Sequence, residues 1–294
     1  MMKRAARLGS RIAEVHNGSS LFTGDAGQGE SNIRRWIIEN DWLDAIVALP
    51  LNMFYNTGIA TYIWVLSNRK PEHRAGRVQL IDATQWFKPL RKNLGKKNCE
   101  LSDEDIQRIC DTFLAFEETE QSKIFPNAAF GNWKVMVERP LRLTGIDPER
   151  AYTPKEIKTL KQTAERGDDA PPVIKKIHKK GTAADPLRGM FAANIAGKPA
   201  VVEYEPDAEL RDTEQVPLLE KGGIETFLRR EVLPQAADAW YVPDSVNTGY
   251  EVSFTRYFYK LQSLRTLEEI RADILALEKE TEGLLSEIIG GDGK

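Results

Sequence analysis

Apolar residues at Ile33, Trp36 and Ile37 fall at i, i+3 and i+4 and predict an amphipathic helix with Ser31 near its start. Two continuous apolar, β-rich runs follow, Leu43 to Leu49 and Ile59 to Leu66, closed by Pro50 and Asn68. They are too short for helices and read as strands buried on both faces. Between them lies the loop Asn52-Met53-Phe54-Tyr55-Asn56-Thr57-Gly58. Helix, strand, aromatic loop and strand make one edge of an α/β sheet carrying a binding loop. The alternation from Arg11 to His16 adds a short strand before a turn at Asn17 to Ser20. Arg77 to Ala83 reads as a further strand, and Lys134 to Leu143 as one interrupted by Pro140.

Two capping boxes open helices. Ser102 to Asp105 precedes Ile106, Ile109, Cys110 and Phe113 at helical spacing, which makes Cys110 a core thiol. Thr153-Pro154-Lys155-Glu156 adds proline at the first helical position. Arg166 to Ala170, followed by Pro171-Pro172, reads as a linker. Val201 to Glu205 reads as a brief strand, and the acidic run to Glu214 as surface. Near the end Leu267, Ile270, Ile274, Leu277, Thr281, Leu284 and Ile288 step by threes and fours until Gly290-Gly291. That is a heptad stripe with one polar position at Thr281. Acids fill the other faces, among them Glu268, Glu269, Asp273 and Glu287. So narrow a stripe meets one partner helix, here taken to be on another subunit.

Composition narrows the setting. A chain of 294 residues can bury a sizeable core in one to three units, and a net charge of −3 argues against general polyanion binding. No apolar run approaches the roughly 18 residues of a membrane span. The basic start, Met1 to Arg7, lacks the apolar stretch of a secretory signal. Two cysteines without a CxxC and three histidines argue against disulfides or a zinc site and for a reducing cytoplasm.

Three stretches carry candidate chemistry. The glycine-rich Gly24 to Gly29, leading into a helix, either cradles a phosphate or connects elements, and Asp25 and Glu30 would repel an anion. The segment Trp86 to Cys99 has Lys88, Arg91, Lys92, Lys96 and Lys97 without an acid, beside Trp86 and Phe87. It reads either as a loop tracking a nucleic-acid backbone or as a solvated one. Lys175, Lys176, Lys179 and Lys180 surround His178 and read as a solvated face.

Several stretches together resemble the modification subunit of type I restriction-modification systems. They are Asn17 to Phe22 (Asn-Gly-Ser-Ser-Leu-Phe), Gly29 to Trp36 (Gly-Glu-Ser-Asn-Ile-Arg-Arg-Trp) and Phe54 to Ile59 (Phe-Tyr-Asn-Thr-Gly-Ile). Glu138 to Leu143 and Phe254 to Lys260 continue the likeness, which runs in order from Gly9 to Ile289. The resemblance implies an S-adenosylmethionine-dependent enzyme that methylates adenine N6 in double-stranded DNA. It further implies binding to a specificity subunit, through the terminal helix, and to a restriction subunit in the full complex.

The chain departs from the family where the chemistry sits. The family's glycine-rich cofactor turn is absent, as is its Asn-Pro-Pro-Phe or Asp-Pro-Pro-Tyr signature; the Pro-Pro at 171–172 follows Ala170. Adenine's exocyclic nitrogen is a poor nucleophile, so the site must hold it, stack the flipped base and align it with the methyl donor. No catalytic residue is therefore assigned, and the chain reads as the C-terminal portion of the subunit. The expected fold is α/β: late strands of a Rossmann-like methyltransferase sheet (1–143), an α-rich accessory region (144–250) and a coiled-coil-type helix (251–294). By the family likeness the loop with Phe54, Tyr55, Asn56, Thr57 and Gly58 lies near the target-base pocket. Phe54 and Tyr55 would stack on a base and Asn56 hydrogen-bond one, or the two aromatics plug the sheet edge while Asn56 to Gly58 turn the chain. A non-catalytic module binding the specificity subunit and DNA is the alternative, and a nucleotide-binding enzyme using Gly24 to Gly29 a third.

Overall fold

The computed structural model describes residues 9–259 and 266–289, with positions 278, 280 and 282–289 described by backbone alone. One compact unit extends to Tyr257 and a second begins at Phe258.

The first unit opens with β1 (Arg11–Asn17), α1 (Gly29–Glu39), β2 (Leu43–Ala48), β3 (Thr61–Ser67) and β4 (Arg77–Asp82). A hairpin of β5 (Lys88–Leu94) and β6 (Lys97–Glu100), α2 (Asp103–Ala115), β7 (Ser122–Pro126) and β8 (Gly131–Glu138) follow. Strands β1, β3, β2, β4 and β7 form one sheet in that order, in which only the β2–β4 pair is parallel. Every residue of β2 is buried, as its continuous apolar run requires of a strand covered on both faces.

A buried ion pair ties α2 to this sheet. Arg74 Nε donates to Asp44 Oδ1 at 2.7 Å on β2, and its NH1 donates to the Phe113 carbonyl at 2.8 Å. The same guanidinium lies over the rings of Phe113 and Phe116 at 4.2 and 4.1 Å. Ile109 and Phe113 pack against Val47, Leu49, Ile81, Ala83 and Trp86. Cys110, expected in the core, is exposed, and the buried thiol is Cys99. Ile106 is exposed as well, so the buried face of α2 is narrower than its apolar spacing.

Helix α1 buries a different face from the one its apolar pattern predicts. Ser31, Arg34 and Ile38 are inside, while Ile33 and Trp36 are exposed, the latter edge-on to Trp42 at 4.5 Å. The inward face is bought by hydrogen bonds to the far end of the unit. Arg34 Nε donates to the Tyr250 carbonyl at 2.7 Å, and the Tyr250 N–H donates to Ser31 Oγ at 3.3 Å.

The remaining elements are α3 (Pro154–Thr163), β9 (Ile174–Ile177), β10 (Met190–Ile195), β11 (Lys198–Tyr204), β12 (Asp212–Pro217), α4 (Gly223–Phe227), β13 (Trp240–Tyr241), β14 (Asn247–Tyr250) and α5 (Phe254–Phe258). The accessory region is therefore strand-rich, not α-rich as expected. Its short strands alternate too briefly to be legible one by one, and they are recruited by β8 across long sequence separations. β12 takes one edge of β8, and β13 and β14 share the other. β10, β11 and β9 form a separate antiparallel sheet.

Both capping boxes are formed, with Ser102 and Thr153 as the caps. Hydrogen bonds from the Thr153 N–H and hydroxyl, and then from Arg150, hold the Glu156 carboxyl down at about 2. The stretch expected to be a linker is built in: Ala170 and Val173 are buried and Arg142 pairs with Pro172. In the acidic run Asp207 is buried, paired with Arg166 at 3.4 Å, and Val216 on β12 is buried too.

The second unit contains α6 (Leu267–Ile289). Its side chains at Leu267, Ile270, Ile274 and Leu277 are exposed. Those of Leu284 and Ile288, together with Gly290-Gly291, lie outside the described residues.

Candidate nucleic-acid interface

In the five-stranded sheet β1, β2 and β4 run the same way, so the connections that follow them leave from one edge. Ligands of open α/β sheets collect outside the carboxyl ends of such strands. Two segments meet there: the β2–β3 connection with the aromatic loop, and the β5–β6 hairpin after β4.

The aromatic loop closes on a tight turn. The Thr57 N–H donates to the Phe54 carbonyl at 3.2 Å, and the Thr57 hydroxyl to the Tyr55 carbonyl at 3.1 Å. Asn56 takes φ +51°, a left-handed conformation that asparagine tolerates better than most residues. The turn thus spans Phe54 to Thr57, not Asn56 to Gly58, and it puts Tyr55 at the corner with 68% of its surface exposed. Phe54 is 37% exposed and does not plug the core, where Met53 and Trp86 pack instead.

The segment Trp86 to Cys99 is not an open loop. Most of it is the β5–β6 hairpin, with Lys88 opposite Glu100 and Leu94 opposite Lys97. Its turn places Gly95 at φ +62°, where a type II′ hairpin needs glycine. Trp86 is buried, packed from inside and covered by the Arg108 guanidinium at 4.3 Å, so it is no stacking platform. Lys88, Arg91, Lys92 and Lys96 are exposed, and Lys97 is half-buried. None of the five forms an ion pair with a described residue.

Hairpin and loop are in contact. The Asn98 N–H donates to the Asn52 carbonyl at 3.1 Å, and Cys99 Sγ–H to the Leu51 carbonyl at 3.1 Å. A Cβ at Gly95 would overlap the Asn56 side-chain oxygen. Burial pushes the Cys99 thiol up despite Lys97, so it serves as a donor and not as a thiolate. The structure therefore joins two groups of candidates that sequence reasoning kept separate. The residue it missed is Gly95, whose sequence signal was a glycine breaking a basic run between Leu94 and Lys96. The arrangement presents the Tyr55 and Phe54 rings, side-chain amides and five cations on one loop and hairpin, which is a stacking and phosphate-binding chemistry.

The glycine-rich loop at the same edge is filled by the chain itself. A Cβ at Gly27 would press on Asn247, and one at Gly249 on Ala26. Lys134 Nζ meets Asp25 Oδ1 at 2.6 Å and holds that carboxyl below the usual carboxylate range. Gly27 and Gly249 thus allow close packing between this loop and β14.

The first unit is a mixed α/β fold, as the sequence suggested. Residues 1–132 match the family model of N-6 DNA Methylase. Over 148 residues the chain is 31% identical to the type I restriction enzyme MjaIX methylase subunit of Methanocaldococcus jannaschii, covering 48% of this chain and 26% of that protein. Over 89 residues it is 35% identical to the MpnII methylase subunit of Mycoplasma pneumoniae, covering 30% and 15%. Thus the chain spans about a quarter or less of the length of these relatives. Among solved structures, the type I methyltransferase subunit of Streptococcus thermophilus gives a TM-score of 0.35 at 26% identity, over 41% of this chain and 24% of that one. A modification subunit of a type I restriction enzyme from Vibrio vulnificus gives 0.30 at 16% identity, over 40% and 22%. At such TM-scores the sequences, not the superpositions, carry the likeness. The resemblance to the modification subunit of type I restriction-modification systems is borne out. Among the described residues no helix is long and apolar enough to cross a membrane.

Proposed function

We propose that this chain supplies the target-base side and the assembly helix of a type I DNA adenine-N6 methyltransferase subunit, and that these residues alone transfer no methyl group. The observation that carries this is the meeting of the exposed Tyr55 corner with a hairpin bearing five cations, none of them ion-paired among the described residues, at the carboxyl edge of the sheet. An aromatic at such a corner can stack on or wedge beside an extruded base while the cations neutralise flanking phosphates. Asn56 and Thr57 offer amide and hydroxyl partners, and Lys96 lies beside Gly58.

S-adenosylmethionine is the methyl donor that the family implies, and the residues here do not fit it. The glycine-rich loop is closed by Asn247 and Gly249, and the Pro-Pro at 171–172 lacks the amide or acid that holds adenine. The working partners are then a specificity subunit, a restriction subunit and double-stranded DNA, in the cytoplasm.

The test is DNA binding by the chain assembled with a specificity subunit. Lys92→Glu, Lys96→Glu and Lys97→Glu together lower affinity and flatten its salt dependence, as loss of phosphate contacts requires. An unaltered salt slope would remove the hairpin from the interface.

The exposed stripe of α6 favours a second reading, a non-catalytic module that binds the specificity subunit and DNA. Calorimetric titration with S-adenosylmethionine separates the isolated chain from an enzyme: no binding is expected, and micromolar affinity defeats the claim that its donor site is absent.

A further inference from the structure

Far along the chain from that edge, beyond the residues matched by the family model, the β10–β11–β9 sheet carries a basic concavity. It has a volume of about 790 Å³ and is lined by His178, Lys179, Lys180, Thr182 and Lys198 with small residues such as Gly181 and Ala200. No acid lines it. The loop after β9 is held in place: the His178 N–H donates to the Val201 carbonyl at 2.9 Å, and the Thr182 N–H and hydroxyl donate to the Lys179 carbonyl at 3.2 and 3.0 Å. Gly181 turns the chain at φ +96°.

The nearby carboxylate is already engaged. Glu203 Oε1 lies 3.2 Å from Lys176 Nζ and 2.5 Å from His178 Nε2. Burial works to raise this carboxyl, and the Lys176 and His178 hydrogen bonds outweigh it. Lys179, Lys180 and Lys198 form no ion pair with a described residue, and all three line the one cavity.

We propose that this concavity binds the phosphodiester backbone of duplex DNA, as a contact separate from the loop-and-hairpin edge; the proposal rests on the reading that the protein works on DNA. The lining chemistry selects that ligand. Protein interfaces are anchored by aromatics and arginine and are depleted in lysine, and this wall has lysines and small residues without an aromatic. Lysine acts as a flexible point charge suited to phosphates, with no planar fork to read a base edge. The contact is therefore indifferent to sequence and adds affinity and orientation.

Fluorescence anisotropy of a labelled duplex, titrated with the 294-residue chain over a range of salt, tests it. Lys179→Gln, Lys180→Gln and Lys198→Gln together reduce the log–log salt slope by about two to three, on duplexes of any sequence. The same reduction adds to that of Lys92→Gln, Lys96→Gln and Lys97→Gln. An unchanged slope in the cavity variant, with loss in the hairpin variant, overturns this inference and leaves the proposed function standing. The reverse pattern keeps the cavity and removes the hairpin. Absence of duplex binding by the chain at low salt overturns this inference, while the proposed function is tested on the chain assembled with a specificity subunit. A polyglutamate peptide that binds as tightly as the duplex, and is lost in the cavity variant, would make the occupant an acidic protein and overturn the assignment to DNA.

Discussion

Gly95 shows how much of the interface hangs on one missing methyl group. Its backbone is left-handed and its Cα faces the Asn56 side chain, so any side chain there is strained by conformation and by contact. Gly95→Ala should cost about 1–2 kcal/mol from the left-handed backbone alone, read as a lower urea midpoint, and should also weaken DNA binding by displacing the Asn56 turn. An unchanged midpoint would mean that hairpin and loop are not in register. Other single residues were misassigned from sequence for a common reason. Cys110 keeps helical spacing with Ile109 and Phe113 but sits a quarter-turn off the packed face, and Arg34 is buried because two carbonyls, those of Tyr250 and Ser20, accept from it. Such partners lie far away in sequence, and no local pattern announces them.

Among the elements, those with chemistry at their ends were the most legible. The capping boxes at Ser102 and Thr153 are local devices, four residues long, and form as read. Strand β2 was legible as buried throughout because continuous apolar runs have few alternatives, whereas β3 begins at Thr61, leaves Ile59 exposed and is only partly buried. The basic segment was not, since a short hairpin with an irregular register looks like a loop in one dimension. The helix α6 stands with Leu267 85% and Ile274 59% exposed, an arrangement that leaves apolar surface for a partner. Ile274→Asp with Leu277→Asp should abolish co-purification of the chain with a specificity subunit while leaving the melting of residues up to Tyr257 unaffected. A complex that forms undiminished would exclude α6 as the docking element.

On the scale of the molecule, the chain closes on its own beginning. The Val252 N–H donates to the Leu21 carbonyl at 2.9 Å, the Phe254 ring packs on Tyr62 at 5.3 Å, and Tyr257 packs on Phe125 at 4.2 Å. Together with the Arg34–Tyr250 bond, these contacts fasten residues 247–257 to the first sheet. Phe254→Ala removes a buried ring and should cost about 3–5 kcal/mol. The loss should appear as one shifted transition in circular dichroism and tryptophan fluorescence alike, because the sheet and the β8 strands unfold together. Two separate transitions would show that the closure does not couple them.

What the sequence by itself determined was whatever depends on neighbours in the chain: the strand and helix periods, the caps, the acid-free basic run, the heptad stripe and the family likeness. Only the tertiary structure decided which side chains share a surface. It brought the Tyr55 turn against the Gly95 hairpin, packed Asn247 and Gly249 onto the glycine-rich loop, and gathered Lys179, Lys180 and Lys198 around one cavity. The physical reason is that periodicity is written in the backbone's local repeat. Burial and charge compensation, in contrast, depend on long-range contacts whose partners can be any residue the fold brings near.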